Sequence, residues 1–423
     1  MLNKDGVREL CYVVTIDDIK PIAGKDRVEC AVVGGWTIMV CKNQFKSGDP
    51  AIYFEIDSKV PEREPFEFLA QKKYRIKTQR YKTSEGPFFS QGLLMSAEDF
   101  GWQSFTKITC ERFGINEAEY TGILDDTGKP HFANNESRFL TAALGVTYAE
   151  ASDNQRKAAA ADKYKKMAQR NGKLFRHQPF RWLMKRTWGK KLLFVFFGKK
   201  RDKKSSWPSW VTKTDEERVQ NMPWILNDKD FWIATEKIDG SSTTFTIKRK
   251  PFGNYDFFVC SRNVCFDRPD KKCYYETNIY TEMAEKYHIE EKMKDMLFKE
   301  DKFADCEWIT IQGETYGEGV QKRNYSTKEH AFMAFNLIDS KRGRWNSIDM
   351  KDYLEYCNGI PCVPIITGFY VFPDTVEELL EYATGGSMLD NDMREGIVFR
   401  SHDGTRSFKA VSNEYLVKYQ NKN

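Results

Sequence analysis

The sequence predicts an α+β protein that begins with a small β-barrel and continues into a larger domain of mixed strands and helices. Two observations lead to this prediction. Short stretches of alternating apolar and polar residues, separated by turn residues, follow one another from residue 8 to residue 96. Beyond residue 206, strand-like stretches are interrupted by three helical segments without a regular βαβ repeat.

The first module is predicted over residues 1–120. Its strand-like stretches include ELCYVVTI, DRVECAVVGG, WTIMVC and AIYFEI. An OB-type barrel is the simplest closed structure for such strands, because closure removes exposed strand edges. A different small barrel would show much the same pattern.

The middle segment, residues 121–205, has a different character. Residues 156–204 contain 18 Lys and Arg against two acidic residues, and a helix is predicted over Asn154–Arg170. Aromatic residues alternate with cations after this helix, as in LFRHQPFRWLMKRTW. Three interpretations remain open: a nucleic-acid-binding segment, an insertion packed on the body of the protein, and a segment at a membrane surface.

The composition suits a globular protein of two or three domains with 423 residues and 30% charged side chains. The N-terminal sequence lacks the apolar core of a signal peptide, and the longest apolar run, at 192–197, is too short to span a bilayer. The ten cysteines form no C-x-x-C pair. We therefore expect reduced thiols, a cytoplasmic location and no membrane anchor.

The stretch TEKIDGSS, at 235–242, lies between two strand-like stretches. Asp-Gly in this setting predicts a β-hairpin turn. The lysine ahead of the turn, Lys237, could instead be a nucleophile at the mouth of a pocket. The sequence just before it, KTDEERVQNMP, predicts a short helix capped by Thr214 or Asp215.

Five further motifs follow Lys237 at strand ends or turns, where their side chains could converge on one cleft. They are CSRN at 260–263, QGETYG at 312–317, FMAFN at 332–336, REGIVFR at 394–400 and SFK at 407–409. Taken singly, Glu314 and Glu395 could be exposed turn acids, and Phe335 could be a core residue. Their joint order is what predicts a site.

In this order the motifs resemble those of the covalent nucleotidyltransferases, the superfamily of RNA ligases, DNA ligases and capping enzymes. The resemblance covers residues 206–420. It implies that residues 206–423 form a mixed antiparallel-sheet nucleotidyltransferase domain, of the ATP-grasp-like ligase type, that follows the OB-type barrel.

The resemblance also implies the chemistry. Lys237 would attack ATP to form a lysyl-AMP, and Lys409 and Arg262 would offset the phosphate charge. Glu395 would hold Mg²⁺ or Mn²⁺, because hard metals prefer oxygen ligands. Only a neutral amine is nucleophilic, so we expect the pKa of Lys237 to be lowered by Lys409, the metal ion or desolvation.

Nucleoside recognition is implied for the other positions. Glu314 would bind a ribose hydroxyl, Phe335 would stack on adenine, and Glu236 would lie near the base edge. Arg262 would contact the ribose or the acceptor strand. Asp239 and Gly240 complete the predicted nucleotide-binding set.

The chain ends 14 residues after Lys409, which leaves no room for a C-terminal OB module. A chain with its barrel at the N-terminus instead resembles the ATP-dependent RNA ligases that carry an N-terminal OB module. The catalytic domain of these ligases is of the T4 RNA ligase 2 type. This implies joining of RNA 3′-OH and 5′-phosphate ends, at nicks in a duplex and in RNA repair, by a monomer. Such ligases often carry K-x-K in the last motif. Here Val411 occupies the position of the second lysine, so Lys418 could supply the second positive charge.

Two alternatives are kept. A GTP-dependent mRNA capping guanylyltransferase would use the same lysine chemistry. A catalytically inactive nucleic-acid-binding protein would keep the fold without the reaction, although intact Lys237, Glu314, Glu395 and Lys409 argue against it.

Overall fold

The computed structural model describes residues 1–3, 7–100, 138–148, 177–186, 188–189, 192–193, 207–262, 264–266, 278–321, 323 and 325–420. The helix predicted over Asn154–Arg170 and most of the basic segment 156–204 lie outside this part. The three interpretations of that segment, and the boundaries 1–120, 121–205 and 206–423, therefore stay predictions.

The N-terminal region consists of short antiparallel strands. They are β1 (Cys11–Thr15), β2 (Asp18–Ile22), β3 (Lys25–Val33), β4 (Trp36–Cys41), β5 (Pro50–Phe54), β6 (Ser58–Lys59), β7 (Gln79–Thr83), β8 (Gly86–Ser90), β9 (Leu93–Met95) and β10 (Thr147–Tyr148). The hydrogen-bonded orders are β1-β5-β9, β2-β3-β4, β7-β8 and β10-β6.

Strands β1 and β5 are buried on both faces. On β1, Cys11 and Val13 point into one apolar cluster, while Tyr12 and Val14 point into a second one. This follows from the two-residue period of a strand, which sends successive side chains to opposite faces. The short helix α1 (Thr141–Leu144) packs its Leu144 into the first cluster.

The C-terminal region holds two larger antiparallel sheets and most of the helices. Its strands are β11 (Trp232–Lys237), β12 (Ser241–Arg249), β13 (Tyr255–Ser261), β14 (Cys265–Phe266), β15 (Trp308–Tyr316), β16 (Ala331–Asp339), β17 (Gly343–Arg344), β18 (Ile365–Tyr370), β19 (Gly396–Ser401) and β20 (Ser407–Val411). The remaining described helices are α2 (Gln178–Met184), α3 (Ile279–Lys286), α4 (Ile289–Lys299), α5 (Ser347–Lys351), α6 (Val376–Ala383) and α7 (Asn413–Tyr415). Single π-type turns, Asp352–Cys357 and Leu416–Gln420, extend α5 and α7.

One sheet has six strands in the order β14-β13-β12-β15-β16-β17, and the other has four in the order β18-β11-β19-β20. Helices α3, α4 and α5 contribute to the apolar core of the six-stranded sheet, and α6 contributes to that of the four-stranded sheet. Each sheet therefore has its own core. The α+β class and the mixed antiparallel sheets predicted from the sequence are confirmed.

Candidate active site between the two sheets

The turn around Asp239 and Gly240 is not the hairpin that the sequence predicts. Strand β11, before the turn, pairs with β18 and β19, whereas β12, after the turn, pairs with β13 and β15. The Asp-Gly turn therefore carries the chain from one sheet to the other. Lys237, the last residue of β11, lies where the two sheets approach each other.

Gly240 is required at this crossover because of close packing. A Cβ atom at this position would collide with the backbone carbonyl of Thr315 and would lie 2.8 Å from the Glu314 side chain. The absence of a side chain lets the turn lie directly against β15. This contact brings Lys237 and Glu314 to the same cavity.

Lys237 forms an ion pair with Glu395. Its Nζ donates a hydrogen bond of 2.7 Å to Glu395 Oε2. The contact follows from strand pairing, since Lys237 lies opposite Gly396, the residue after Glu395. Both side chains are largely buried.

The pKa of Lys237 is raised, contrary to the sequence-based expectation. Burial acts to lower it, but the carboxylates of Glu395 and Glu314 together outweigh burial and hold the proton on the amine. In the unliganded protein the predicted nucleophile is therefore an ammonium ion. The expectation was wrong because it considered the neighbouring cations and not the two carboxylates.

Glu314 lies on β15 opposite Ser242. Burial raises the pKa of its carboxyl to about 8, because the attraction of Lys237 does not offset desolvation and the repulsion from Glu395 and Asp239. Burial also raises the pKa of Glu395. Glu314 and Glu395 are therefore partly buried acids in one cavity and not the exposed turn acids of the simpler interpretation.

Phe335 is placed by a β-bulge. In the pairing of β15 with β16, Gln312 lies opposite Asn336 and Gly313 opposite Ala334, so Phe335 is the extra residue. Bulges re-aim side chains and are frequent beside active sites. Phe335 is partly buried and lines the cavity, and the Arg400 guanidinium lies 5.7 Å from the centre of its ring.

Glu236 and Asp239 are fixed by hydrogen bonds. The Glu236 carboxylate accepts from Ser387 Oγ at 2.5 Å and from the Met388 N–H at 2.7 Å. Asp239 Oδ2 accepts from the Tyr415 hydroxyl at 2.7 Å, and its N–H donates to the Tyr325 hydroxyl. No predicted motif contains the two tyrosines, because Tyr325 lies between two of the motifs and Tyr415 lies after the last one.

Lys409 and Arg262 converge on Asp215. Lys409 Nζ donates to Asp215 Oδ1 at 3.0 Å, and Arg262 Nη2 donates to Asp215 Oδ2 at 2.7 Å. Burial and the charge of Arg8 lower the pKa of Lys409 to about 8. The same three cations hold the pKa of the Asp215 carboxyl far below its usual range, although burial opposes them.

The short helix predicted from Thr214 or Asp215 is not formed. The chain has no regular secondary structure from 211 to 217, Arg218 forms a parallel bridge with Lys409 of β20, and only a short 3-10 helix, Val219–Asn221, follows. The acidic side chains that suggested a helical first turn are instead used in long-range ion pairs. Glu216, for example, contacts Arg344 and Arg400.

The N-terminal region reaches this cluster through Arg8. Its Nη2 lies 3.3 Å from Asp215 Oδ1, and its Nη1 donates to Glu55 at 2.7 Å. At the position of the second lysine of the last motif, Val411 is buried with the second N-terminal apolar cluster. Lys418 bonds to Asp392 at 2.6 Å and is absent from the described cavity lining.

One cavity of about 930 Å³ lies between the two sheets and the N-terminal region. Lining residues include every sequence-predicted site residue: Glu236, Lys237, Asp239, Gly240, Arg262, Glu314, Phe335, Glu395 and Lys409. The N-terminal region adds Asp57, Arg75, Lys77 and Tyr148. This wall of the cavity could not be predicted from the sequence, because no motif marks its residues.

Comparison with known proteins agrees with this geometry. Residues 230–419 match the family model described as RNA ligase. This region is therefore similar to RNA ligase domains. Residues 10–97 match an OB-fold domain family, which confirms the predicted type of the N-terminal module.

The two matched regions together resemble solved ligase structures. Naegleria gruberi RNA ligase with PPi is 26% identical, with a TM-score of 0.66 over 98% of this chain and 100% of that chain. Substituted forms of that ligase, one with ATP and Mn and one with AMP and Mn, are 25% identical at the same TM-score and coverage. Comparison with curated protein sequences gives no match.

Within the ranges that the structure describes, no group of three or more His, Cys, Asp or Glu side chains is placed to hold a metal ion. No helix in those ranges is long and apolar enough to cross a membrane.

Proposed function

We propose that this protein is an ATP-dependent RNA ligase that joins 3′-OH and 5′-phosphate ends through a lysyl-AMP intermediate. The observation that supports this most is the placement of Lys237 at a strand end, 2.7 Å from Glu395, in a cavity that also holds Glu314, Phe335 and Lys409. A buried lysine beside carboxylates and cations fits covalent nucleotidyl transfer better than simple nucleotide binding.

The reaction consists of three displacements at phosphorus. The Lys237 amine attacks the α-phosphorus of ATP, forms an N–P bond and releases pyrophosphate. The 5′-phosphate of RNA then attacks this phosphorus, which frees Lys237 and leaves AMP on the RNA end. Finally the 3′-hydroxyl attacks the RNA phosphate, forms the phosphodiester and releases AMP.

The proton on Lys237 has to leave before the first attack. In the structure the Glu395 carboxylate helps to keep this proton on the amine. Any interaction that neutralises the carboxylate therefore lowers the pKa of Lys237. Lys409 and Arg262 then offset charge on the phosphates, where positive groups stabilise the transition state. Both roles follow from the side chains that line the cavity.

The remaining side chains bind the nucleoside. Phe335 presents its ring to the cavity for stacking on adenine, and Glu236 lies near the base edge. Glu314 is the hydrogen-bond partner of a ribose hydroxyl. Asp239 and Gly240 shape the turn that carries these groups.

The cavity fits a divalent cation. Glu395 and Glu314 repel each other and burial raises the pKa of both, so Lys237 by itself does not offset the two carboxylates. Mg²⁺ and Mn²⁺ are bound by one or two carboxylates together with water and substrate phosphates, so a larger cluster of ligands is not needed. Glu395 would hold this cation, which would supply positive charge next to the phosphates.

Covalent labelling tests the first step. The protein is incubated with ATP or GTP labelled at the α-phosphate, and the label that stays on the denatured chain in alkali and is released by acid, as a lysine phosphoramidate requires, is measured. We expect label from ATP, and we expect Lys237→Ala to reduce it by at least about 10³-fold. Label from GTP alone would instead indicate a capping guanylyltransferase, and no label from either would indicate a non-catalytic protein.

Nick sealing tests the substrate. Matched nicked duplexes carry either RNA or DNA on the 3′-hydroxyl strand, and the sealed product is measured for each. We expect sealing to require RNA on that strand, as an RNA-repair ligase would. Equal sealing of both duplexes would contradict the RNA-specific part of the proposal.

A further inference from the structure

Three cationic side chains surround the carboxylate of Asp215, whose single negative charge cannot balance all three. Lys409 and Arg262 both pair with it, at 3.0 and 2.7 Å, and in the described part of the chain neither has another ion-pair partner. Arg8 approaches the same carboxylate with Nε and Nη2, at 3.4 and 3.3 Å. Three cations thus share one acid, and Arg8 additionally pairs with Glu55.

The cations lie on two sides of Asp215. Lys409 and Arg262 line the cavity together with Asp215, whereas Arg8 is not part of the described lining and belongs to the OB-fold module. Lys409, Asp215 and Arg8 are largely buried, while Arg262 is half exposed. On the cavity wall, an arginine and a lysine hold the two acceptor oxygens of this carboxylate. The same two cations could bind the oxygens of a phosphate group.

We propose that Asp215 holds the place of a phosphate group between Lys409 and Arg262, and that Arg8 retains Asp215 when the phosphate binds. The OB-fold module thereby takes part in phosphate binding without contacting the phosphate. This inference rests on the proposed function, which already assigns Lys409 and Arg262 to the phosphates, and deepens it by naming the competing carboxylate and a positioning residue.

Two features of the chain support the exchange. Asp215 lies outside any helix or strand, and Arg8 offers two donors that a displaced carboxylate can accept together. The low pKa of Lys409, about 8, also shows that positive charge is in excess at this place. An incoming phosphate, which carries more negative charge than a carboxylate, can therefore displace Asp215 from the two cations.

Binding of inorganic tripolyphosphate, measured by calorimetry on the full chain, tests the proposal. Asp215→Asn removes the competing charge, so we expect tripolyphosphate to bind about tenfold more tightly. The matched control is Asp57→Asn, since Asp57 lines the same cavity and pairs with Arg218 at 3.1 Å. If the Asp57 variant tightened binding as much, the effect would be a general one of net charge and the proposal would fail.

A double-mutant cycle isolates the role of Arg8. Arg8→Gln leaves Asp215 to Lys409 and Arg262, so we expect phosphate to bind about tenfold more weakly. In the Asp215→Asn background the same Arg8 substitution is expected to change binding less than about twofold. An equal loss in both backgrounds would mean that Arg8 attracts phosphate through its own charge, and would overturn the positioning role.

The source of the phosphate is resolved by a second ligand. A 5′-phosphorylated oligoribonucleotide and its 5′-hydroxyl counterpart are compared with tripolyphosphate on the same variants. Tighter binding of tripolyphosphate by the Asp215 variant assigns the site to the nucleotide tail, and tighter binding of the 5′-phosphate RNA assigns it to the RNA end. If neither ligand binds more tightly, the proposal is wrong.

This outcome can be separated from the proposed function. Phosphate binding is measured without turnover, whereas lysyl-AMP formation is measured by covalent label. A protein that binds phosphate as described but forms no adduct would refute the ligase proposal alone. Thermal unfolding of each variant shows whether it remains folded, and Arg8→Lys serves as a second variant that keeps the charge if Arg8→Gln is unstable.

Discussion

The side chains of Lys237 and Glu395 form a 2.7 Å ion pair although 158 positions separate them in the sequence. Pairing of β11 with β19 places Gly396 opposite Lys237 and so brings Glu395 beside it. The predicted nucleophile and the predicted metal ligand are therefore partners before any ligand binds. Their pairing sets the protonation state of Lys237.

Replacing Glu395 should lower the pKa of Lys237. Glu395→Gln removes the charge that most strongly holds the proton, so burial is then opposed mainly by Glu314. The pH dependence of Lys237 labelling by an amine reagent, followed by mass spectrometry, reports this pKa. Glu62→Gln is the control, because Glu62 is a surface acid paired with Lys59. If the labelling profile of Lys237 were unchanged in the Glu395 variant, Glu395 would not be the group that raises the pKa of Lys237.

Replacing Glu314 should alter how stability depends on pH. The pKa of Glu314 is about 8 in the folded protein against 4.5 for an ordinary glutamate. Between these values the folded state binds more protons than the unfolded state, so its free energy of unfolding falls as the pH rises. Glu314→Gln should remove this contribution, on the order of 3 kcal/mol between pH 4.5 and 8.

Denaturant unfolding at pH 5, 6.5 and 8.5 measures the Glu314 effect. The variant is expected to match the wild-type protein near pH 5 and to exceed it in stability at pH 8.5, while losing lysyl-AMP formation. A constant difference between the two proteins at all three pH values would refute the raised pKa.

Removing the Phe335 ring should weaken ATP binding. Base–aromatic stacking contributes about 1–3 kcal/mol, so Phe335→Ala is expected to raise KM for ATP about tenfold or more. Phe335→Tyr keeps the stacking surface and should change KM little. Steady-state lysyl-AMP formation measures both, with Phe252→Ala as the control because the Phe252 side chain is fully exposed.

The contact between the OB-fold module and the C-terminal turn should contribute to stability. Leu416 is buried in an apolar cluster with N-terminal residues such as Tyr12 and Trp36. Leu416→Ala should lower the free energy of unfolding by about 2–4 kcal/mol, because it removes buried methyl groups and leaves a cavity. Thermal or denaturant unfolding tests this, and Met388→Ala, at an exposed position, should have little effect.

A large part of the site could be predicted from the sequence. Lys237, Glu314, Phe335, Glu395 and Lys409 were identified from their motifs, and the structure brings all of them to one cavity. Such residues can be found from the sequence because each belongs to a short motif of adjacent residues, and the motifs follow one another in a fixed order. Their roles in catalysis stay predictions until the variants are measured.

Interactions between distant segments could not be predicted in the same way. Asp215 follows a turn-like sequence and precedes two more acids, which locally favours a helix N-terminus. In the folded chain it pairs with Arg8 and Lys409, which lie 207 and 194 positions away. The ion pairs outweigh a weak local preference, because helix propensity amounts to less than about 1 kcal/mol per residue.

The sequence by itself indicated most of the strands and the residues that are candidates for the chemistry, since periodicity and motif order are local properties. Only the tertiary structure decided that the Asp239–Gly240 turn joins two sheets, and that Val411 is buried against the OB-fold module. Strand partners are chosen by burial and pairing with distant segments, and a strand's own residues do not specify them. Lys237 lies between its carboxylates because β11 pairs with β19 and not with β12.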